Sequence, residues 1–138
     1  MVVLSSKFFF REVCAVYEEV AQSLHLSGPD ESEDYMPSSE YRCGELLYAV
    51  NLNQRAGLVS TTIRVDKKSI ALSMDIEEFA LSVGLVERRG GISTSARSQK
   101  QLRKSLLGQV AYVELVHPLL SDGKAEEAML QAGARRWR

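Results

Sequence analysis

Two neighbouring segments with alternating apolar side chains constrain the fold of this chain more than any other feature. Residues 45–53 and 58–65 each place large apolar or β-branched side chains at every second position. This period of two is typical of a half-buried strand, because successive side chains of a strand point to opposite faces. Residues 53–57, which contain three polar side chains and end in glycine, predict a turn between two antiparallel strands. A short run at residues 69–73 extends the pair to a three-stranded meander.

Apolar spacings of three and four residues predict helices on both sides of the meander. This spacing runs from residue 6 to about residue 26 and stops before Gly28-Pro29, because proline cannot continue a helix. A second long helix is predicted from about residue 96 to about residue 116, bounded by Pro118. We therefore expect an α+β fold, in which a small antiparallel sheet packs against an N-terminal helix and C-terminal helices.

Capping signals refine the ends of these helices. Ser5 or Ser6 is placed to accept hydrogen bonds from the first free amides of the N-terminal helix. Asp75, with Glu78 three residues later, predicts the start of a short helix directly after the meander. A last short helix is predicted to begin near residue 121 and to end at Gly133, because glycine readily adopts the left-handed conformation of a helix C-terminus.

Length and composition indicate one globular domain over residues 1–138. Hydrophobic residues make up 45% of the 138 residues and charged residues 25%, which argues against disorder, a coiled coil or a membrane protein. The N-terminus lacks the cationic region and cleavage site of a signal peptide. No apolar run approaches the ~20 residues that span a bilayer. We expect a soluble, cytoplasmic protein that does not associate with a membrane.

An acidic segment after the first helix is the leading candidate for partner binding. Residues 28–39 combine a glycine, two prolines and three serines with four carboxylates, a composition that predicts a loop. Grouped carboxylates favour a cationic protein partner, and an aromatic residue among them supplies apolar contact area. A solvated connection without a binding role is the alternative interpretation. The candidate partner-binding residues are Asp30, Glu31, Glu33, Asp34, Tyr35, Glu40 and Glu45.

Basic segments in the C-terminal half form a competing candidate surface. Cations cluster from Arg97 to Lys104, and residues 134–138 form a basic C-terminal tail. Such cations are able to contact phosphates, but a solvated helix face is the ordinary interpretation of the cluster. The isoelectric point is about 6.1, and no helix-turn-helix or RNP motif occurs. We therefore expect a protein partner rather than a nucleic acid.

No grouping of residues predicts a catalytic or metal site. Cys14 and Cys43 fit no cysteine–histidine spacing of a tetrahedral metal site, and the helical pattern directs Cys14 towards the core. His25 and His117 are the only histidines. We predict no catalytic residue, no metal ligand and no cofactor. A small hydrolytic enzyme built around one of the two histidines is an alternative hypothesis.

The order of these features resembles a class of bacterial proteins. The chain contains, in order, an aromatic-rich first helix (Phe8-Phe9-Phe10-Arg11-Glu12-Val13), an acidic loop, a meander and C-terminal helices with Val116-His117-Pro118-Leu119-Leu120-Ser121-Asp122-Gly123. In this architecture it is similar to bacterial immunity proteins of contact-dependent and other polymorphic toxin systems. The resemblance implies a non-catalytic protein that neutralises a cognate toxin domain by occluding its active site. Those proteins share no diagnostic motif, so no residue role is carried over.

A second class of binding protein is also compatible with the sequence. A secretion chaperone or regulatory adaptor is expected to form a homodimer with an exposed apolar groove. An immunity protein that uses the acidic segment is instead expected to associate with its toxin in a salt-sensitive manner, because complementary charges speed the encounter.

Overall fold

The computed structural model describes residues 3–137, which form four helices and six strands. The helices are α1 (Ser6–Ser23), α2 (Ile76–Ser82), α3 (Gln99–Leu120) and α4 (Ala125–Ala132). The strands are β1 (Ser27–Ser32), β2 (Ser38–Cys43), β3 (Leu46–Asn53), β4 (Leu58–Asp66), β5 (Ala71–Asp75) and β6 (Arg135–Arg136). This arrangement confirms the predicted α+β class.

The strands form one antiparallel sheet in sequence order, with β1 at one edge and β6 at the other. The prediction of a three-stranded meander is therefore wrong, and its strands correspond to β3, β4 and β5 of a six-stranded sheet. The sequence pattern missed β1 because nearly all of its side chains are exposed, and β2 because Tyr41 is its only large buried group. β6 has two residues, too few to show a period.

The acidic segment is not the loop that its composition predicts. Residues 28–32 belong to β1, residues 38 and 39 begin β2, and residues 33–37 connect the two strands. Glycine, proline and aspartate are disfavoured in central strands, but an edge strand pairs on one side only and tolerates them. The pairing with β2 shifts register between Ser27 and Asp30, around Pro29. The segment is thus an edge strand followed by a short turn.

The helices build the core on one face of the sheet, where α1 and α3 lie side by side and α2 and α4 pack against α3. The hydroxyl of Thr61 on β4 donates to Oε1 of Gln109 on α3 at 2.8 Å. Because a hydroxyl has one hydrogen, the Tyr17 hydroxyl on α1 donates to Thr61, at 3.0 Å. The Nε2 of Gln109 donates to the carbonyls of Val59 and Ser93. These buried bonds specify how the two helices dock on the sheet.

Most of the predicted helix ends agree with the structure. The side chain of Ser5 accepts from the amide of Phe8 at 3.1 Å. Asp75 accepts from the amides of Glu77 and Glu78 in the first turn of α2, at 3.0 and 3.2 Å. Glu78 does not complete the predicted capping box, because its carboxylate forms an ion pair with Arg89. Gly133 ends α4 in the left-handed conformation, with φ of 88°.

Three details of the predicted helices are wrong. The last helix begins at Ala125 rather than near residue 121, because residues 121–124 form a turn. α3 continues to Leu120 and contains Pro118 in its last turn. Proline is tolerated there because the carbonyl that it leaves unpaired belongs to the exposed Glu114, where water is available. Cys14 is exposed rather than directed into the core, because the buried stripe of α1 passes on its other side, through Phe9, Val13, Tyr17 and Val20.

Candidate binding surface

The free edge of β1 and the turn that follows it form the most highly charged surface that the predicted residues build. We define the acidic edge as Asp30, Glu31, Glu33, Asp34 and Tyr35. All five side chains are exposed, and they follow one another along the terminal strand and its connection to β2. The structure therefore brings together five of the seven predicted site residues.

Close packing of β1 against β2 holds this edge in place. Gly28 has a φ of +132°, and a Cβ at this position would lie 2.6 Å from the backbone oxygen of Glu40. Only glycine adopts this conformation at such a short distance from the neighbouring strand. At the other end of β1, the hydroxyl of Ser32 accepts from the amide of Asp34 at 3.2 Å and shapes the start of the turn.

The carboxylates of the acidic edge are not engaged in ion pairs within residues 3–137. Among residues 3–137, none of Asp30, Glu31, Glu33 and Asp34 forms an ion pair. Asp30 also pairs across the strands with Glu40, so two acidic residues stand opposite each other on one face of the sheet. Like charges at such positions are unfavourable. The acidic edge therefore presents four carboxylates that form no ion pair within the described part of the molecule, although Arg55 lines the same depression as Glu33.

Glu40 lies beside the acidic edge but has a partner of its own. Its Oε2 is 3.5 Å from the Nη1 of Arg64 on β4, and both side chains are partly exposed. The interpretation of the sequence missed Arg64, although its position next to Ile63 in the alternating pattern of β4 indicated the opposite face of the sheet. Glu40 thus extends the acidic surface onto that face with its charge partly offset.

The structure separates Glu45 from the other predicted site residues. It lies in the turn between β2 and β3, at the end of the hairpin opposite to the turn that follows β1. Its carboxylate is 3.3 Å from the Nζ of Lys67, which is also 2.8 Å from Glu126 on α4. These two carboxylates raise the pKa of the Lys67 ammonium through hydrogen bonds. Glu45 therefore helps to connect, through Lys67, the turn between β2 and β3 with α4.

Tyr35 is the most exposed large side chain of the acidic edge, with 93% of its surface accessible. It borders a depression of about 430 Å³ between the turn after β1 and the turn after β3, with Glu33 and Arg55 on the same rim. An exposed tyrosine offers apolar area and a polar hydroxyl at a low cost in conformational entropy. The position is therefore suited to contact with another protein.

A groove of about 550 Å³ runs between α1 and β1 and adjoins the acidic edge. Its lining includes Ala21, Leu26, Tyr41 and Cys14. Partial burial and the carboxylates of Glu31 and Glu18 raise the pKa of the Cys14 thiol. The raised pKa favours the uncharged thiol in this groove.

The buried histidine has a structural partner. His117 lies inside α3, and its Nδ1 is 2.8 Å from the hydroxyl of Tyr48 on β3. Burial lowers the pKa of this imidazole, and the nearby carboxylate of Asp122 opposes the shift. His25 is exposed in the turn after α1. Within residues 3–137, no three histidine, cysteine, aspartate or glutamate residues are grouped so as to hold a metal ion.

The basic segments are organised differently from the acidic edge. Lys100, Arg103 and Lys104 are exposed on the first turns of α3. The predicted basic tail is partly a strand, because Arg135 and Arg136 form β6 beside β5. The guanidinium carbon of Arg64 lies 4.7 Å from the centre of the Trp137 ring, which holds the end of the chain against the sheet. Arg138 lies outside the described residues.

Of the helices within residues 3–137, none combines the length and apolarity needed to cross a bilayer. A scan of protein-family models, a search of curated protein sequences and a search of solved structures found no match to this chain.

Proposed function

We propose that this protein is a non-catalytic binding protein of the immunity type, which neutralises a cognate bacterial toxin by covering its active site. The observation that carries the proposal is the uncompensated negative charge of the acidic edge. Four exposed carboxylates on the edge strand and on the turn that follows it have no ion pair among the described residues. A cationic protein surface, such as the substrate cleft of a nuclease toxin, supplies the missing charges.

Charge accounts for encounter and orientation in this proposal. Grouped carboxylates attract a cationic cleft over about one Debye length, roughly 8 Å at physiological ionic strength. This attraction raises the association rate and opposes partners of the same charge. Once the acidic edge lies over the cleft, the body of the protein blocks access of the toxin's substrate. Inhibition then needs no chemical step by the immunity protein.

Apolar contact accounts for affinity. Tyr35 is the aromatic anchor at one end of the acidic edge, and the groove between α1 and β1 receives side chains of the toxin at the other end. The unpaired side of β1 also offers backbone hydrogen bonds to an extended segment of the partner. The register shift near Pro29 restricts regular pairing to Asp30–Ser32, so side chains supply most of the contact.

Calorimetry with a charge-neutralised variant tests the proposal. The binding probe is the toxin domain encoded by the neighbouring gene, purified in a catalytically inactive form. Glu31→Gln, Glu33→Gln and Asp34→Asn, combined in one variant, should weaken binding by about a hundredfold or more at low salt, because interfacial charge pairs couple strongly. The variant should also reduce the dependence of affinity on salt concentration.

A matched variant separates the acidic edge from net charge. Glu87→Gln, Asp122→Asn and Glu127→Gln change the net charge by the same amount at exposed positions outside α1 and β1. This control should bind within a few-fold of the natural chain. An equal loss of affinity in both variants would show that the effect depends only on net charge. Unchanged affinity of the first variant would refute the role of the acidic edge.

A further inference from the structure

The exposed face of α3 is unusually apolar in its C-terminal two-thirds. Leu107, Leu115 and Leu119 are 52%, 40% and 39% exposed, and the exposed Ala111 lies between the first two. The four residues are spaced by four, so they form one stripe along the helix surface. Glu114 is the only charged residue among the exposed residues from 107 to 120.

The solvent face of α1 shows what an ordinary surface helix of this fold looks like. Its exposed residues are Lys7, Arg11, Cys14, Ala15, Glu18, Glu19, Gln22 and Ser23, most of which are charged or polar. Both helices lie on the same face of the sheet and contact each other. Location in the fold therefore does not explain the difference. A helix face that is apolar over about three turns is typical of a contact surface.

The charges of α3 are placed against its own dipole. Its first turn contains no acidic residue, and Lys100, Arg103 and Lys104 occupy the end where backbone amides already carry positive partial charge. Cations are favoured at the opposite end of a helix. The negative end of another helix beside these lysines and this arginine would remove the conflict. An antiparallel neighbour with the same sequence has its negative end there.

We propose that a second copy of this chain packs antiparallel against the exposed face of α3. With the two-fold axis at Ala111, Leu107 of each copy lies level with Leu115 of the other, because both are four residues from the axis. The small side chain of Ala111 permits close approach of the two helix axes at their crossing. The stripe is thus complementary to itself, as a two-fold contact requires.

The same arrangement pairs the charges. Lys104 and Glu114 of different copies are separated by about 6 Å along the helix axis, given a rise of about 1.5 Å per residue, which is within reach of a lysine side chain. Within one copy, the two residues are about 15 Å apart along α3 and do not interact. Arg103, whose guanidinium faces Glu12 of α1 at 4.0 Å in its own copy, lies level with Leu119 of the other copy. One helix pair buries a modest area, so the dimer is weak and dissociates on dilution.

Sedimentation velocity over a range of protein concentrations tests the dimer. The natural chain should shift from monomer to dimer as the concentration rises from micromolar to hundreds of micromolar. Leu115→Glu should stay monomeric over this range, because two carboxylates would enter the apolar contact. Leu130→Glu is the matched control, since Leu130 is a 38% exposed leucine on α4 outside the stripe. Circular dichroism verifies that both variants fold.

A charge exchange tests the antiparallel register. Lys104→Glu and Glu114→Lys should each raise the dissociation constant by about tenfold, since each places like charges together. The variant with both substitutions should recover dimerisation, because opposite charges face each other again across the axis. A natural chain that stays monomeric at the highest concentration would refute the dimer. A Leu115→Glu variant that still dimerises, or a double variant that stays as weak as the single ones, would refute this arrangement. The result is independent of toxin binding, which uses the acidic edge.

Discussion

The polar groups on the helix-covered face of the sheet differ from those on the acidic edge in burial and in bonding. On the covered face, Tyr17, Thr61 and Gln109 are buried, and each bonds to another part of the chain. On the acidic edge, four carboxylates are exposed and make no ion pair among residues 3–137. Polar groups of the first kind specify how elements dock, whereas those of the second kind are available to another molecule.

Substitutions in the two regions are expected to affect different properties, either the stability of the fold or the binding of a partner. A buried polar group that loses its partner costs the free energy of its desolvation, whereas an exposed carboxylate keeps its water. We therefore expect substitutions on the covered face to lower the free energy of unfolding. Conservative substitutions on the acidic edge should alter binding with little loss of stability.

The largest expected effect is at Gln109. Gln109→Ala removes the acceptor of the Thr61 hydroxyl, leaves the carbonyls of Val59 and Ser93 without this donor, and opens a cavity. We expect a loss of about 3 kcal/mol in the free energy of unfolding, measured by urea denaturation. Gln131→Ala, at an exposed position of α4, should change it by less than about 0.5 kcal/mol. Similar losses at both positions would contradict the distinction between the two regions.

An intermediate effect is expected from removing one hydroxyl in each region. Tyr17→Phe deletes the donor to Thr61 and should lower the free energy of unfolding by about 1 kcal/mol. Tyr35→Phe deletes a hydroxyl that is fully hydrated and should leave stability unchanged within error. Thermal unfolding of the two variants, side by side, provides the measurement. A destabilised Tyr35→Phe variant would show that the turn after β1 has a structural role.

The smallest expected effect is a gain in stability at Asp30. Asp30→Asn removes a negative charge opposite Glu40 and should raise the free energy of unfolding by roughly 0.2–0.5 kcal/mol at low salt. Glu33→Gln, which lies beyond the end of β1, is the control without a directly opposite carboxylate. High salt should reduce the gain by screening. A loss of stability for Asp30→Asn would mean that this carboxylate has an unrecognised structural role.

Local patterns predicted what depends on local geometry. The period of two in β3 and β4 was sufficient to identify the central hairpin, and Asp75 was sufficient to locate the start of α2. The structure places five of the seven candidate residues on the acidic edge, whereas strand pairing carries Glu45 to the far turn beside Lys67. Neither that ion pair nor the one between Glu40 and Arg64 has a signal in the spacing of residues along the chain.

The sequence by itself determined the α+β class, the central strands and most helix ends, because these follow from side-chain spacing and from capping within a few residues. Only the tertiary structure decided that the acidic segment is an edge strand and that one face of α3 stays uncovered. Such properties depend on contacts between distant positions, as in the bond that joins Thr61 to Gln109 across 48 residues. The position of a strand at the edge or centre of the sheet, and the burial of a helix face, depend on which elements become neighbours. Local sequence does not contain that information.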